Sequence, residues 1–167
     1  ITLEFQYLLR LIQNNQFDTI YHEHFSYLSL TSVTRIFEEY GLKVFHVEEL
    51  PTHGGSLRVY GCHSDDLRKS DSSVDVLLME ERKYGIQSLN LYHSFQKHAD
   101  KIKDDFVKFL IDQKQAGKVV VAYGAAAKGN TLLNYAGVKP DLIPFVCDKA
   151  SSKQGKYLPG SHIPIKS

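Results

Sequence analysis

Cysteine is scarce in this 167-residue chain. Cys62 and Cys147 are the two present, far apart and without CxxC spacing, which argues against a disulfide framework and against a structural zinc site. An excess of one charge is lacking too. Twenty lysines and arginines face nineteen aspartates and glutamates, a formal net charge of +1, so there is no broad electrostatic signature of nucleic-acid or anionic-membrane binding. No apolar run approaches the length of a membrane span, and no charged-then-apolar signal segment opens the chain; a reducing cytoplasm is the expected setting. A GxGxxG fingerprint is absent. GAAAKGNT, residues 124–131, matches the outline GxxxxG-x-[ST] of an ATP-binding loop, but Asn130 stands where that loop needs its lysine, and Lys128, two positions earlier, projects elsewhere. ATP hydrolysis is therefore not expected.

What is present suffices for a core without staples: 43% hydrophobic residues in a length that suits one ordinary domain or two small ones. The chain turns on FDTIYHEHFSY, residues 17–27. Tyr21, His22, Glu23, His24 and Tyr27 bring together a group that titrates near neutral pH, a carboxylate able to orient or charge it, and phenols that can donate to a developing negative oxygen. The same residues also suit a polar corner whose donors are satisfied by backbone. Metal fits poorly. In a helix His22 and His24 diverge, in a strand they share a face with no third ligand nearby, and His46, His53, His63, His93 and His98 show no ligand spacing.

Around that loop, ITLEF reads as the end of a strand, and Phe5, Leu8, Leu9 and Ile12 fall at helical spacing, with Asn14 and Asn15 as the stop. Val33, Ile36, Phe37 and Tyr40 predict a second helix with Thr31 or Ser32 as N-cap and Gly41 just past its end. Segments 42–47 and 57–62 read as a hairpin. Its connection carries Pro51, Gly54 and Gly55, which suit a plain turn or the close approach of a ligand. Residues 64–73, rich in Ser and Asp, read as a linker. Beyond it come a short helix over 74–84 and a longer one whose stripe of Phe95, Ala99, Ile102, Phe106 and Phe109 reads as core.

KVVVAYGAAAKGNTLLNYAG then predicts a strand, a small-residue turn and a helix over 128–135. Free amides at that helix start, with Lys128 beside them, can face a phosphate. A strand over 142–147 ends in Asp148, where doubly wound folds commonly place an acid beside a ribose. Any βαβ unit needs a tight turn of small residues, so the turn also stands as ordinary structure.

Taken together, FDTIYHEHFSYLSL, EYGLKVFHVEELPTHGGSLRVYG, VVAYGAAAKGNTLLNYAG and GKYLPGSHIPI resemble the nucleotide-sugar C-methyltransferases, which methylate carbon in a keto-deoxysugar linked to a nucleotide diphosphate. The resemblance spans nearly the whole chain. It implies an α/β protein: the back part of a Rossmann-type methyltransferase domain (1–63), the linker 64–73, and a Rossmann-like nucleotide-sugar-binding domain (74–167), both incomplete. Both chain ends, Ile1 and IPIKS, are expected to be cut from something longer, with S-adenosylmethionine held mainly by residues outside this chain. By resemblance His24 matches the general base, with Tyr21 and Glu23 as its active-site neighbours. His22, His53, Gly54, Gly55, Ser56 and Arg58 are assigned to the substrate side of the cleft, and Gly124, Ala125, Lys128, Gly129, Asn130 and Asp148 to binding the nucleotide part of the substrate. The rival readings are a non-catalytic nucleotide- or dinucleotide-binding module and a structural lid or oligomerisation domain; the oligomeric state stays open.

Overall fold

β-branched and aromatic residues after Gly41 form the two longest strands of the computed structural model, which describes all 167 residues. The chain divides into two units, the first Ile1–Gln16 with Phe25–Phe95, the second Phe17–His24 with Gln96–Ser167.

In the first unit β2 (Leu42–Leu50) and β3 (Ser56–His63) pair as the antiparallel hairpin, with a register shift between Val44 and His46. β1 (Thr2–Gln6) pairs antiparallel with the other side of β3, giving the order β1-β3-β2. Phe5, predicted to open the first helix, lies opposite Leu57 in this sheet. The strand wins because Tyr7 is still extended, its amide donating to the Gly55 carbonyl at 3.0 Å, so α1 (Leu8–Gln13) begins only after it. α2 (Leu30–Glu39) buries Val33 and Phe37 but leaves Ile36 and Tyr40 exposed. Its N-cap is Ser29, ahead of the predicted Thr31 or Ser32, because the Ser29 hydroxyl accepts from the Ser32 amide at 3.1 Å. Gly41 follows in the left-handed region at φ 67°, where glycine is unstrained.

Residues 64–73 lie within this first unit. The Ser64 amide donates to Gly41, the Asp71 amide to Phe45, and the Ser70 hydroxyl to Val44. α3 (Ser72–Tyr84), capped by Asp71 and closed by Gly85, adds Val74 and Leu77 to a core of Leu9, Leu30, Val33, Val47, Leu57 and Val59.

α4 (Leu89–Gln115) runs from the first unit into the second, changing over between Phe95 and Gln96. Its expected stripe is shifted at the far end: Leu110 is buried, and Phe109 is half-exposed. β4 (Ala122–Tyr123), β5 (Val146–Cys147) and β6 (Ile165–Lys166) form a short parallel sheet in that order, with α5 (Ala127–Tyr135) between β4 and β5. The strand expected from the KVVVAY run is regular over two residues only. Leu110, Leu133, Val138, Ile143, Val146 and Ile163 make the second core. The fold is mixed α/β, and no helix is long and apolar enough to cross a membrane.

Candidate functional site

The histidine loop belongs to the second unit as far as His24. A 3-10 turn, Phe17–Thr19, anchors it there. Thr19 is buried, and the Phe17 ring meets Tyr135 of α5 edge-on, centroids 5.4 Å apart, an aromatic geometry that contributes beyond area alone. The chain then turns: the His24 amide donates to the Tyr21 carbonyl at 3.0 Å. That turn brings the half-buried Tyr21 and His24 rings together at 4.8 Å and 68°, and leaves His22 and Glu23 exposed at its tip. An imidazole beside a phenol is a proton acceptor beside a hydrogen-bond donor.

The Gly124–Asn130 stretch lies in the same unit. Gly124 has φ 96°, and a Cβ built on it meets nothing within 4 Å. The Ala125 amide and Asp148, expected to face phosphate and ribose, bond to each other: Asp148 Oδ2 accepts from Ala125 at 2.7 Å and from Lys153 Nζ at 3.1 Å, while Oδ1 accepts from the Ala150 amide at 2.8 Å. The Ala150 amide, then that of Ala125, then Lys153 hold the Asp148 carboxyl below its ordinary value. α5 has Ala126 at its N-cap position, which offers no side-chain cap, so the first-turn amides of Ala127, Lys128 and Gly129 carry the open donor capacity. Lys128 is half-buried beside them. Asn130 Oδ1 is buried and has no partner within the protein.

His53, Gly54, Gly55, Ser56 and Arg58 belong to the first unit. The turn holds three successive positive φ values, 54°, 83° and 126° at His53, Gly54 and Gly55. Its carbonyls are engaged by α1 and the residues flanking it: Gln16 Nε2 donates to Gly54 at 2.8 Å and the Tyr7 amide to Gly55 at 3.0 Å. A Cβ on Gly55 would lie 2.9 Å from Arg10 Cβ. Ser56 is buried, its hydroxyl donating to Thr52 at 3.1 Å. Arg58 sits in a cross-strand row between Glu4 and Glu48, at 2.8 and 3.5 Å. The Arg58 guanidinium holds the Glu4 carboxyl below its usual range. His53 remains exposed.

Composition and spacing gave no notice of Arg10, whose guanidinium meets Glu49 at 2.6 Å and Glu80 at 2.5 Å beneath that turn. Those two carboxylates, Glu49 first, push its pKa up. Nor did they point to Lys153 or Glu81. All three make contacts set by tertiary structure, and no periodicity announces them.

Comparison with known proteins adds the decisive observation: residues 51–167 match the C-methyltransferase C-terminal domain. The chain belongs to the C-methyltransferase family. It is also 40% identical over 165 residues to the C-methyltransferase NovU of Streptomyces niveus, a match covering 99% of this chain and 39% of that protein. The chain thus spans about two fifths of the length of the curated relative it matches. The match to the C-terminal domain takes in the His53–Arg58 turn and strand, the Gly124–Asn130 turn and Asp148; the alignment with NovU is long enough to extend through nearly the whole chain.

Proposed function

We propose that this chain is the C-terminal portion of an S-adenosylmethionine-dependent enzyme that methylates carbon beside the ketone of a nucleotide-diphosphate-linked keto-deoxysugar, acting in the cytoplasm. Two Rossmann-type domains, each completed by chain beyond these residues, are the corresponding architecture. The parallel order β4-β5-β6 with α5 as a crossover supports that reading of the second unit. The observation that carries the chemistry is the Tyr21–His24 pair. Carbon becomes a nucleophile when a proton leaves the position next to the ketone. In this reading His24 accepts that proton on its imidazole, and the C–H electrons move into the enolate. The Tyr21 hydroxyl donates to the enolate oxygen. In the same reading Glu23, exposed at the tip of the turn, meets a sugar hydroxyl or amine, with His22 beside it. The first-turn amides of α5 and Lys128 take the diphosphate.

S-adenosylmethionine supplies an electrophilic methyl group when bound. The residues present do not form its cradle: β1 passes to α1 through Tyr7 alone, which is fully buried with its amide taken by Gly55, and no glycine turn opens there for an adenosine or a methionine. No step through the cofactor is therefore assigned to this chain, and the 167 residues alone are expected to show no turnover.

The test needs a protein that carries this chain together with the methyl-donor site. His24→Ala should lower kcat by about two to four orders of magnitude while the nucleotide-sugar still binds. Without methyl donor, the parent protein should exchange the proton beside the ketone for solvent deuterium, and His24→Ala should not. Exchange that survives His24→Ala but stops in His22→Ala moves the base by two residues. Calorimetry with a nucleotide-diphosphate sugar and with NAD separates this reading from a dinucleotide-binding module, which would prefer the second ligand.

A further inference from the structure

Local backbone bonds run in series from Phe17 to His24. The Ile20 amide donates to the Phe17 carbonyl at 3.0 Å, Tyr21 to Thr19 at 3.1 Å, and His24 to Tyr21 at 3.0 Å. Tight turns in succession leave little slack, so the place of His24 follows from where Phe17 and Thr19 are held. Those two are buried, whereas Ile20, His22 and Glu23 are exposed. The 3-10 turn that contains them packs on α5, with the Phe17 ring edge-on to Tyr135 at 5.4 Å. All of these residues belong to the second unit.

Tyr135 is itself fixed by the part of α4 that lies in the same unit. Gln96 Nε2 donates to the phenol oxygen at 3.0 Å, the phenol donates to Asp100, and Gln96 Nε2 also reaches Asp100 Oδ1 at 3.1 Å, which closes the group. Lys103 Nζ lies over the ring, 5.8 Å from its centroid, within range of a cation–π attraction. The bond to Asp100 pushes the Tyr135 pKa up, so the phenol stays a donor. A ring left 38% exposed adds less to a core than a buried one, yet this ring has its hydroxyl, its face and its contact with Phe17 all specified. α5 is nine residues long, about 13 Å from end to end. One end presents the open amides of Ala127, Lys128 and Gly129; the other meets the histidine segment through Tyr135.

We propose that Tyr135 is a positioning residue for the histidine segment: pinned by Gln96 and Asp100 and set against Phe17, it fixes His24 relative to the helix whose first turn takes the diphosphate. The inference rests on the reading of His24 as base, but one of its readouts does not. In a protein carrying this chain and the methyl-donor site, Tyr135→Leu should lower kcat and the deuterium-exchange rate about tenfold or more. KM for the nucleotide-sugar should stay within about twofold, because the first-turn amides are untouched and a small misplacement of a reacting group costs rate before it costs binding. Phe17→Leu should do the same, and the double variant should be no slower than the slower single one, since residues that act through one contact are not additive. Additive losses in kcat overturn the proposal.

Histidine ring NMR supplies the second arm. In Tyr135→Leu the His24 resonances should shift or broaden while those of His98 and His162, which belong to the same unit, keep their positions. A merely structural role for Tyr135 would disturb His98 and His162 together with His24, and that result overturns the proposal. So does a folded Tyr135→Leu protein with His24 resonances and kcat unchanged. Tyr135→Phe keeps the ring and removes the hydroxyl that Gln96 and Asp100 hold; it should give the same pattern at smaller amplitude, and where Tyr135→Leu fails to fold, the absence of that pattern in Tyr135→Phe counts equally against. Should His24→Ala leave exchange intact, the assignment of the base fails, whereas the response of the His24 resonances to Tyr135→Leu still decides the role of Tyr135.

Discussion

Two glycine turns, one in each unit, look alike in the sequence and differ in space. At His53–Gly55 the neighbours fill the room a side chain would need, Arg10 against Gly55 and Gln16 against Gly54. At Gly124 the backbone is equally left-handed, yet a Cβ would meet nothing, and the helix that follows begins without a side-chain cap. The first turn needs glycine to pack against α1. The second needs it for backbone direction and keeps the space in front of it clear, which is the condition a phosphate requires. A glycine pair in a sequence therefore says that something comes close; only the structure says whether that something is already there.

The largest expected effect breaks this comparison directly. Gly55→Ala combines a φ of 126° with a contact of 2.9 Å to Arg10 Cβ, strain plus overpacking, and should cost about 4 kcal/mol of unfolding free energy. Gly124→Ala carries strain alone and should cost about 1–2 kcal/mol. Denaturant midpoints measured side by side decide it; equal losses would mean that Arg10 yields freely and that the two turns are not different in kind.

Next comes ligand binding. Gly124→Val puts a branched side chain into the clear space and should weaken nucleotide-sugar binding at least about tenfold with the second unit still folded, as calorimetry and circular dichroism would show. Lys128→Ala should cost about 1 kcal/mol of the same affinity, shrinking as salt rises. An affinity unchanged at low salt moves the phosphate away from this turn.

The smallest effect concerns acid. Because the Ala150 and Ala125 amides and Lys153 hold the folded-state pKa of Asp148 below its ordinary value, the carboxylate contributes stability that is fully present above its unfolded value and is lost as pH falls through the folded one. Asp148→Asn should flatten the stability profile below about pH 4, leaving the profile above it displaced but parallel. Thermal midpoints from pH 5 down to pH 2 check this; a slope identical in both proteins would mean that the contacts to Ala125 and Ala150 do not depend on charge.

Much of the fold was legible. The 3.6-residue spacing of Val33 and Phe37 with Gly41 beyond gives α2, and the pattern over Leu57–Cys62 with glycines before it gives the hairpin. What could not be read were partners distant in sequence. Ser29 rather than Thr31 caps α2, and Glu81, 51 residues from Leu30 and 50 from Thr31, takes the next two amides. Phe5 joins a strand because β3 offers it a partner, and a six-residue window of apolar spacing cannot weigh that. At the site, the Tyr21, His24 and Gly124 residue types were visible in sequence. The mutual engagement of Ala125 and Asp148 was not, since both readings, phosphate donor and internal tie, use the same residues.

The path of the chain between the units has a practical consequence for recombination. It changes unit after Gln16, after His24 and again after Phe95. A chimaera with a relative joined at a single point in α4 would graft a foreign α5 beneath a native Phe17, separating that ring from the Tyr135 it meets. Moving the second unit between family members therefore calls for a two-piece transplant, the Phe17–His24 segment travelling with Gln96–Ser167, and single-junction libraries should be depleted of folded members for that reason.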